Sequence, residues 1–242
     1  MRALLFCLLS VLSGLSVAKP LLVVTEDWPP YNFLDKKNQV VGQSTDIVKA
    51  ILAEAKLDYE IHLFPWARSY QKSLNGKNVL IYTILKTEER APLFHWFCPI
   101  KLNESVFIYQ LSDRTTLSIG SLEQAKKYII GATRGDWNSS FLRQNEFVEG
   151  ENILLSANDD IVLQLLVHQK VDFMLSSERA MHRRLKRANL LLKTVKKVYQ
   201  VPAETMSLSC LAMGKQSDPS LVKKIRDAHK AVLARTPRLK SE

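Results

Sequence analysis

A chain of 242 residues, 46% of them hydrophobic, has ample material for a packed core; disorder is excluded, and one large domain or two smaller ones fit the length. The formal charge of +10 ordinarily points to nucleic acid, a partner set aside for a chain that opens with an export signal. That signal is residues 1–18, MRALLFCLLSVLSGLSVA: Arg2 in a short basic region, an apolar stretch from Ala3 to Leu12, and a Ser16-Val17-Ala18 end that suits signal peptidase. The apolar part is shorter than the ~20 residues that span a bilayer, so a membrane anchor fits less well than cleavage after Ala18 and release into the periplasm.

Leu21–Thr25 reads as a strand, and it runs into Thr25–Phe33, TEDWPPYNF, where two prolines restrict the backbone beside three aromatic rings. Ser44–Ala55 follows with apolar residues at 47, 48, 51, 52 and 55, the period of a helix on a sheet. Tyr59–Leu63 alternates as a strand; Pro65 opens and Gly76 closes a helix over Trp66–Asn75; Val79–Leu85 is a buried strand. This β-α-β-α-β order predicts an open α/β sheet with ligands at strand C-terminal ends.

A second unit starts with a strand at Ser105–Leu111. Ser121 and Gln124 form a capping box for a short helix before a strand over Tyr128–Thr133, which runs into Arg134-Gly135-Asp136-Trp137. A buried helix over Asn158–Gln169, a strand at Val171–Leu175, a basic helix near Ser177–Lys186 and a strand near Leu190–Val195 complete it. Met206–Met213 then reads as β, and Asp218-Pro219 starts a last helix with Leu221, Val222, Ile225, Ala228, Val232 and Leu233 on its apolar face. The strand-like segments near 104–111 and 195–206 predict one lobe inserted in another: residues 19–107 with 200–242, and residues 108–199, with a ligand cleft between them.

The basic runs Arg183–Arg187 and Lys193–Lys197 read as solvated faces, and attraction to anionic ligands or a membrane surface stays open. No Cys/His spacing suggests a metal, no cofactor is expected, and the five histidines are scattered. Export permits Cys98 and Cys210 to pair, although spacing alone leaves that bridge open.

Six pieces in order, WPPYNF, GQSTDIVKAI, PWARSYQKSLNGK, TILKTEERAPLFHWFCPI, GATRG and LLVHQKVDFML, resemble the bacterial periplasmic solute-binding proteins of family 3. The resemblance covers essentially the whole chain after residue 18. It implies a type 2 periplasmic-binding fold: two α/β lobes, joined by two crossover strands, that close on a small ligand, usually an amino acid. In Thr87-Glu88-Glu89-Arg90 it places Arg90 on the ligand carboxylate, a site for the planar guanidinium fork; a surface salt bridge to Glu88 or Glu89 is the alternative. Thr83 then offers a hydroxyl to the same carboxylate, and Tyr31 stacks on the ligand. Asp160, with Asp159 as fallback, holds an ammonium group or caps its helix. Trp28, Trp66 and Trp137 sit at connections that face a cleft, Arg68 brings a second positive charge, and Glu26 lies within reach. Leu85 and Gly135-Asp136-Trp137 depart from the polar residues usual at these places in the family.

The resemblance implies a monomeric binding protein that delivers a carboxylate-bearing solute to an inner-membrane ABC permease. A soluble sensory subunit acting through a partner is one alternative. A second is a lyase like the periplasmic cyclohexadienyl dehydratase, with Glu26 or Asp27 as general acid.

Overall fold

The computed structural model describes residues 19–101, 105–202 and 209–236; the expected export signal lies outside the described residues. Two five-stranded sheets divide the chain. In the first, β1 (Leu21–Thr25) pairs in parallel with β4 (Tyr59–Leu63) and with β5 (Val79–Leu85), while β12 (Ser209–Gly214) runs antiparallel between β5 and β6 (Phe94–Lys101). Every residue of β5 and β12 is buried, because helices cover both faces. Helices α1 (Gln43–Glu54) and α7 (Pro219–Arg235) pack one face through Val48, Ile51, Leu52, Ile225 and Val232. Helix α2 (Trp66–Asn75) packs the other, with Trp66 set among Val24, Ile81 and Ala212.

The second sheet has the order β11-β7-β10-β8-β9, from Val195–Gln200, Val106–Leu111, Phe173–Ser177, Ile130–Thr133 and Ile153–Ser156. Helix α4 (Trp137–Gln144) covers one face with Trp137, Phe141 and Leu142; α5 (Asp159–Val167) and α6 (Glu178–Arg187) cover the other. A short ribbon, β2 (Phe33–Leu34) with β3 (Val40–Val41), and one turn of helix, α3 (Leu122–Ala125), complete the helices and strands. None of the described helices is long and apolar enough to cross a membrane.

Where apolar period and punctuation agree, the elements form where the sequence puts them: β1, β4, α2 and β5 keep the expected bounds. Elsewhere the structure departs from those expectations: the β2–β3 ribbon and β9 have no counterpart in them. β6 was not anticipated, since Pro99 interrupts FHWFCPIK; the sheet tolerates that proline because β6 is an edge strand. Helix α4 follows the strand-to-helix turn read at Arg134-Gly135-Asp136, but its extent was not anticipated: its polar sequence is held at the start by Asp136, whose Oδ1 accepts from the Ser139 N–H at 2.8 Å. The strand expected over Leu190–Val195 instead begins at Val195, after a 3-10 turn at Leu192–Thr194. β11 is an edge strand that pairs with β7 alone, with a register shift between Lys197 and Tyr199, so a mixed run of lysines and partly buried residues, and not an apolar run, defines it. The Ser121 cap forms as half a box: Ser121 Oγ accepts from Gln124 N at 3.2 Å, while Gln124 Oε1 accepts from Gly120 N at 2.7 Å.

The expected lobe boundaries at 107/108 and 199/200 fall inside β7 and inside β11, both wholly in the second sheet. Just before the first crossing and just after the second, Cys98 of β6 is bonded to Cys210 of β12, with their Cα atoms 4.5 Å apart. The two strands are antiparallel neighbours, and their register shifts between Ser209 and Leu211, at Cys210.

Candidate functional site

The C-terminal ends of β1 and β5 face the C-terminal ends of β8 and β10 across a cleft. Its first-sheet wall begins with a backbone irregularity. Tyr82 pairs with Leu211 and Ile84 with Cys210, which leaves Thr83 as an extra residue in β5. Thr83 has a φ of 60°, in the left-handed region that costs a β-branched residue on the order of 1–3 kcal/mol. The bulge turns its side chain to the cleft, where the buried Oγ1 has no hydrogen-bond partner among the described residues.

Next to Thr83, Arg90 is only 4% exposed. The turn of residues 87–90 delivers it: its N–H lies 3.3 Å from Thr87 Oγ1, and its guanidinium lies over the Trp66 ring at 4.9 Å and the Tyr70 ring at 5.4 Å. Nη1 donates to the Leu85 carbonyl at 3.0 Å, and Nη2 donates across the cleft to the Gly135 carbonyl at 2.7 Å. Burial draws its pKa below the usual arginine range, and no described carboxylate lies within 4.0 Å of it. The Gly135 carbonyl also accepts from Trp66 Nε1 at 2.5 Å; Gly135 supplies that geometry with a φ of 71°.

Three carboxyls face this arginine. Asp159, at the first turn of α5, accepts from Thr133 Oγ1 at 2.6 Å and pairs with Arg184 at 2.6 Å; Arg184 is 3% exposed and donates also to Ser176 Oγ at 3.2 Å. Asp136 is bonded by Ser139, the residue it caps, and pairs with none of the described cations within 4.0 Å. Burial and the nearby Asp159 charge raise its pKa to about 8, against that bond and Arg90. Burial first, then Asp159 and Asp136, hold Glu26 well above the ordinary glutamate range. Two of the three thus retain protons where a free carboxyl would lose them.

For Asp136 the sign is fixed: a carboxyl raised in the folded state stabilises the protein fully below its unfolded pKa, and that stability is lost as pH rises toward about 8. Asp136→Asn keeps an equally good helix cap, so its thermal-melting midpoint should fall less than wild type's between pH 5 and 8. Parallel midpoint curves would refute the assignment.

Flat side chains close the remaining walls. Trp28, Trp66 and Trp137 line the cleft; Tyr31 supports Trp28 edge-on with ring centroids 5.6 Å apart, and Phe141 stacks behind Trp137 at 4.9 Å. At the rim, Arg187 of α6 bridges the lobes by pairing with Asp27 and, at 2.7 Å, with Asp160.

The family model for bacterial extracellular solute-binding proteins, family 3, matches residues 21–236. The chain belongs to that family. Among curated proteins no sequence matches it. Solved structures show the two-lobed periplasmic-binding fold. A histidine kinase sensor domain with similarity to periplasmic binding proteins superposes with a TM-score of 0.74 at 18% identity, covering 90% of this chain and 92% of that one. An ancestral arginine-binding protein bound to arginine gives 0.72 at 20%, covering 90% and 94%. The arginine-, lysine-, histidine-binding protein ArtJ from Geobacillus stearothermophilus gives 0.73 at 18%, covering 91% and 92%.

Of the residues that resemblance to family 3 singled out, the structure brings Glu26, Trp28, Trp66, Thr83, Arg90 and Trp137 to one cleft. Arg90 makes no surface bridge to Glu88 or Glu89; it is buried. Asp160 is not in the cleft: Arg187 grips its half-exposed carboxylate, Asp159 takes the inward position, and Asn158 caps the helix. Tyr31 stands behind Trp28, 3% exposed. Arg68 is exposed and lies over the Phe64 ring at 4.4 Å, outside the cleft lining. Asp136 and Arg184 were missed as site residues. Asp136 could have been found as a capping residue after a strand; Arg184 was hidden in a run of basic residues.

Proposed function

We propose that this family 3 protein binds a small solute bearing a carboxylate and a cationic group, an amino acid or an aromatic, amino-acid-like compound, and delivers it to an ABC permease. The observation that carries this reading is Arg90: a buried guanidinium beside the unpartnered Thr83 hydroxyl, with two of its five N–H groups committed to carbonyls. A ligand carboxylate satisfies both. Glu26 and Asp136 have no paired cation among the described residues and suit an ammonium or guanidinium group, and the tryptophan walls suit an apolar or flat body.

Closure over the solute desolvates the ion pairs and forms the surface that a partner reads, permease or sensor. Export to the periplasm, with residues 1–18 removed, is supported by the Cys98–Cys210 bond, which an oxidising compartment preserves. The lobes are residues 19–101 with 209–236 and residues 105–202, and the protein acts as a monomer.

A thermal-shift screen of the amino acids and of small aromatic carboxylates, followed by calorimetry on each hit, tests the reading. At least one carboxylate-bearing solute should raise the melting temperature; a screen in which none does refutes it. A second reading has one observation in its favour: Glu26 lines the cleft, where burial makes it hold its proton to higher pH than a free glutamate, as suits a general acid. Incubation with prephenate and arogenate decides between them, since a binding protein leaves all substrate beyond one equivalent intact.

A further inference from the structure

The basic run at the end of the second lobe has work that the cleft does not use. From residue 179 to residue 203 the chain carries eight Lys or Arg and no Asp or Glu. Arg184 is taken by Asp159, Arg187 by Asp27 and Asp160, and Lys197 by Glu178 at 2.8 Å, while Arg183 lies over the Phe33 ring at 5.3 Å. Lys186, in the last turn of α6, Lys193, in the 3-10 turn, and Lys196, in β11, have no acidic partner among the described residues; Lys186 and Lys193 are exposed.

Between them the chain exposes two neighbouring leucines. Leu191 is 64% and Leu192 54% exposed, the highest values among the exposed large apolar side chains of the described residues. Leu190 turns inward to the core, and its N–H closes on the Leu185 carbonyl at 2.8 Å, which fixes the tip against the end of α6. A folded, apolar tip with lysines on both sides is held ready to meet a surface that is apolar beneath and anionic above.

We infer that the 186–196 tip is a docking surface for an anionic phospholipid bilayer, with Leu191 and Leu192 entering the headgroup boundary and Lys186, Lys193 and Lys196 on the phosphates. Charge complementarity favours an anionic lipid surface, because three lysines without an acidic partner flank the leucines in the chain and no acid occurs from residue 179 to residue 203; exposed Asp113, next to the Ser112 whose N–H reaches the Thr194 carbonyl at 2.9 Å, leaves the balance at the tip positive. Each lysine within a Debye length of an anionic leaflet strengthens association roughly fivefold, and two leucines alone give only marginal, reversible insertion. The contact is therefore transient and salt-sensitive. It is independent of the solute-binding reading.

Sedimentation of the protein with vesicles tests it, using phosphatidylcholine with one quarter phosphatidylglycerol against phosphatidylcholine alone. Expected is retention by the anionic vesicles only, lost at 1 M salt, and reduced at least fivefold in Leu191→Ser/Leu192→Ser, which leaves the charge unchanged. Lys186→Gln/Lys193→Gln/Lys196→Gln should reduce retention still further, whereas the equal charge removal Lys215→Gln/Lys224→Gln/Lys230→Gln on the first lobe should not. These side chains are at the surface, and circular dichroism verifies that the variants fold. Absence of retention overturns the proposal and leaves a protein partner as the occupant of the tip. Equal loss in the two lysine triples, with none in the leucine pair, also overturns it and reduces the effect to net charge.

Discussion

Arg90→Ala should weaken binding of the solute found by screening about 100-fold. Removing one partner of a buried, hydrogen-bonded charge pair costs about 2–5 kcal/mol, since the other partner is left desolvated and alone, and about 3 kcal/mol is two decades in Kd. The variant also gives up the bonds to the Leu85 and Gly135 carbonyls, so a fall in affinity could reflect a lost crossing between lobes instead of a lost carboxylate partner. Arg90→Lys separates the two. It keeps a charge at the site but not the planar fork, and should lose at least tenfold in affinity for a carboxylate while binding the amide analogue of the same solute as the wild type does. Titration calorimetry on the three proteins measures this. Affinity undiminished in Arg90→Ala would remove Arg90 from the ligand site.

Reduction of Cys98–Cys210 should have the larger effect on stability. The bridge spans 112 residues of sequence, and in the chain-entropy account closing a loop of ~100 residues stabilises by about 4.7 kcal/mol. For a chain of this size each kcal/mol shifts the melting temperature by roughly 2–4 °C, so the reduced protein should melt about 10 °C or more below the oxidised one. Differential scanning with and without reductant measures the shift, and Cys98→Ala/Cys210→Ala checks it without reductant. A shift of only one or two degrees would mean that the unfolded chain keeps these strands together unaided.

Much of the fold was legible because local signals agreed. Pro65 and Gly76 bracket a run of helical period, and α2 has those bounds; VLIYTIL is apolar but for Thr83 and the Tyr82 hydroxyl because β5 lies between two strands and two helical layers. The site was legible where the resemblance fixed a position, as at Arg90 and Thr83, and less so where geometry decides. Asp159 and Asp160 are neighbours in sequence, yet one residue turns a helix by roughly 100°, enough to send one carboxylate to the cleft and the other to Arg187. Arg184 looked like its exposed neighbours because its burial depends on Asp159, 25 positions earlier, and on Ser176. The left-handed backbone of Thr83 has no local signal: it exists because β12 pairs out of step with β5.

That mismatch lies beside the disulfide, and the pairing has a topological consequence. Cys98 and Cys210 join the chain just before it leaves for the second lobe and just after it returns, so residues 98–210 form a covalent ring that contains every strand of that lobe. The ring's two exits share one anchor, with Cα atoms 4.5 Å apart. The roots of the two straps cannot slide past each other, and a single cut anywhere in the second lobe leaves both pieces tethered. The pinned point lies at the back of the cleft wall, where Cys210 pairs with Ile84, the residue after Thr83.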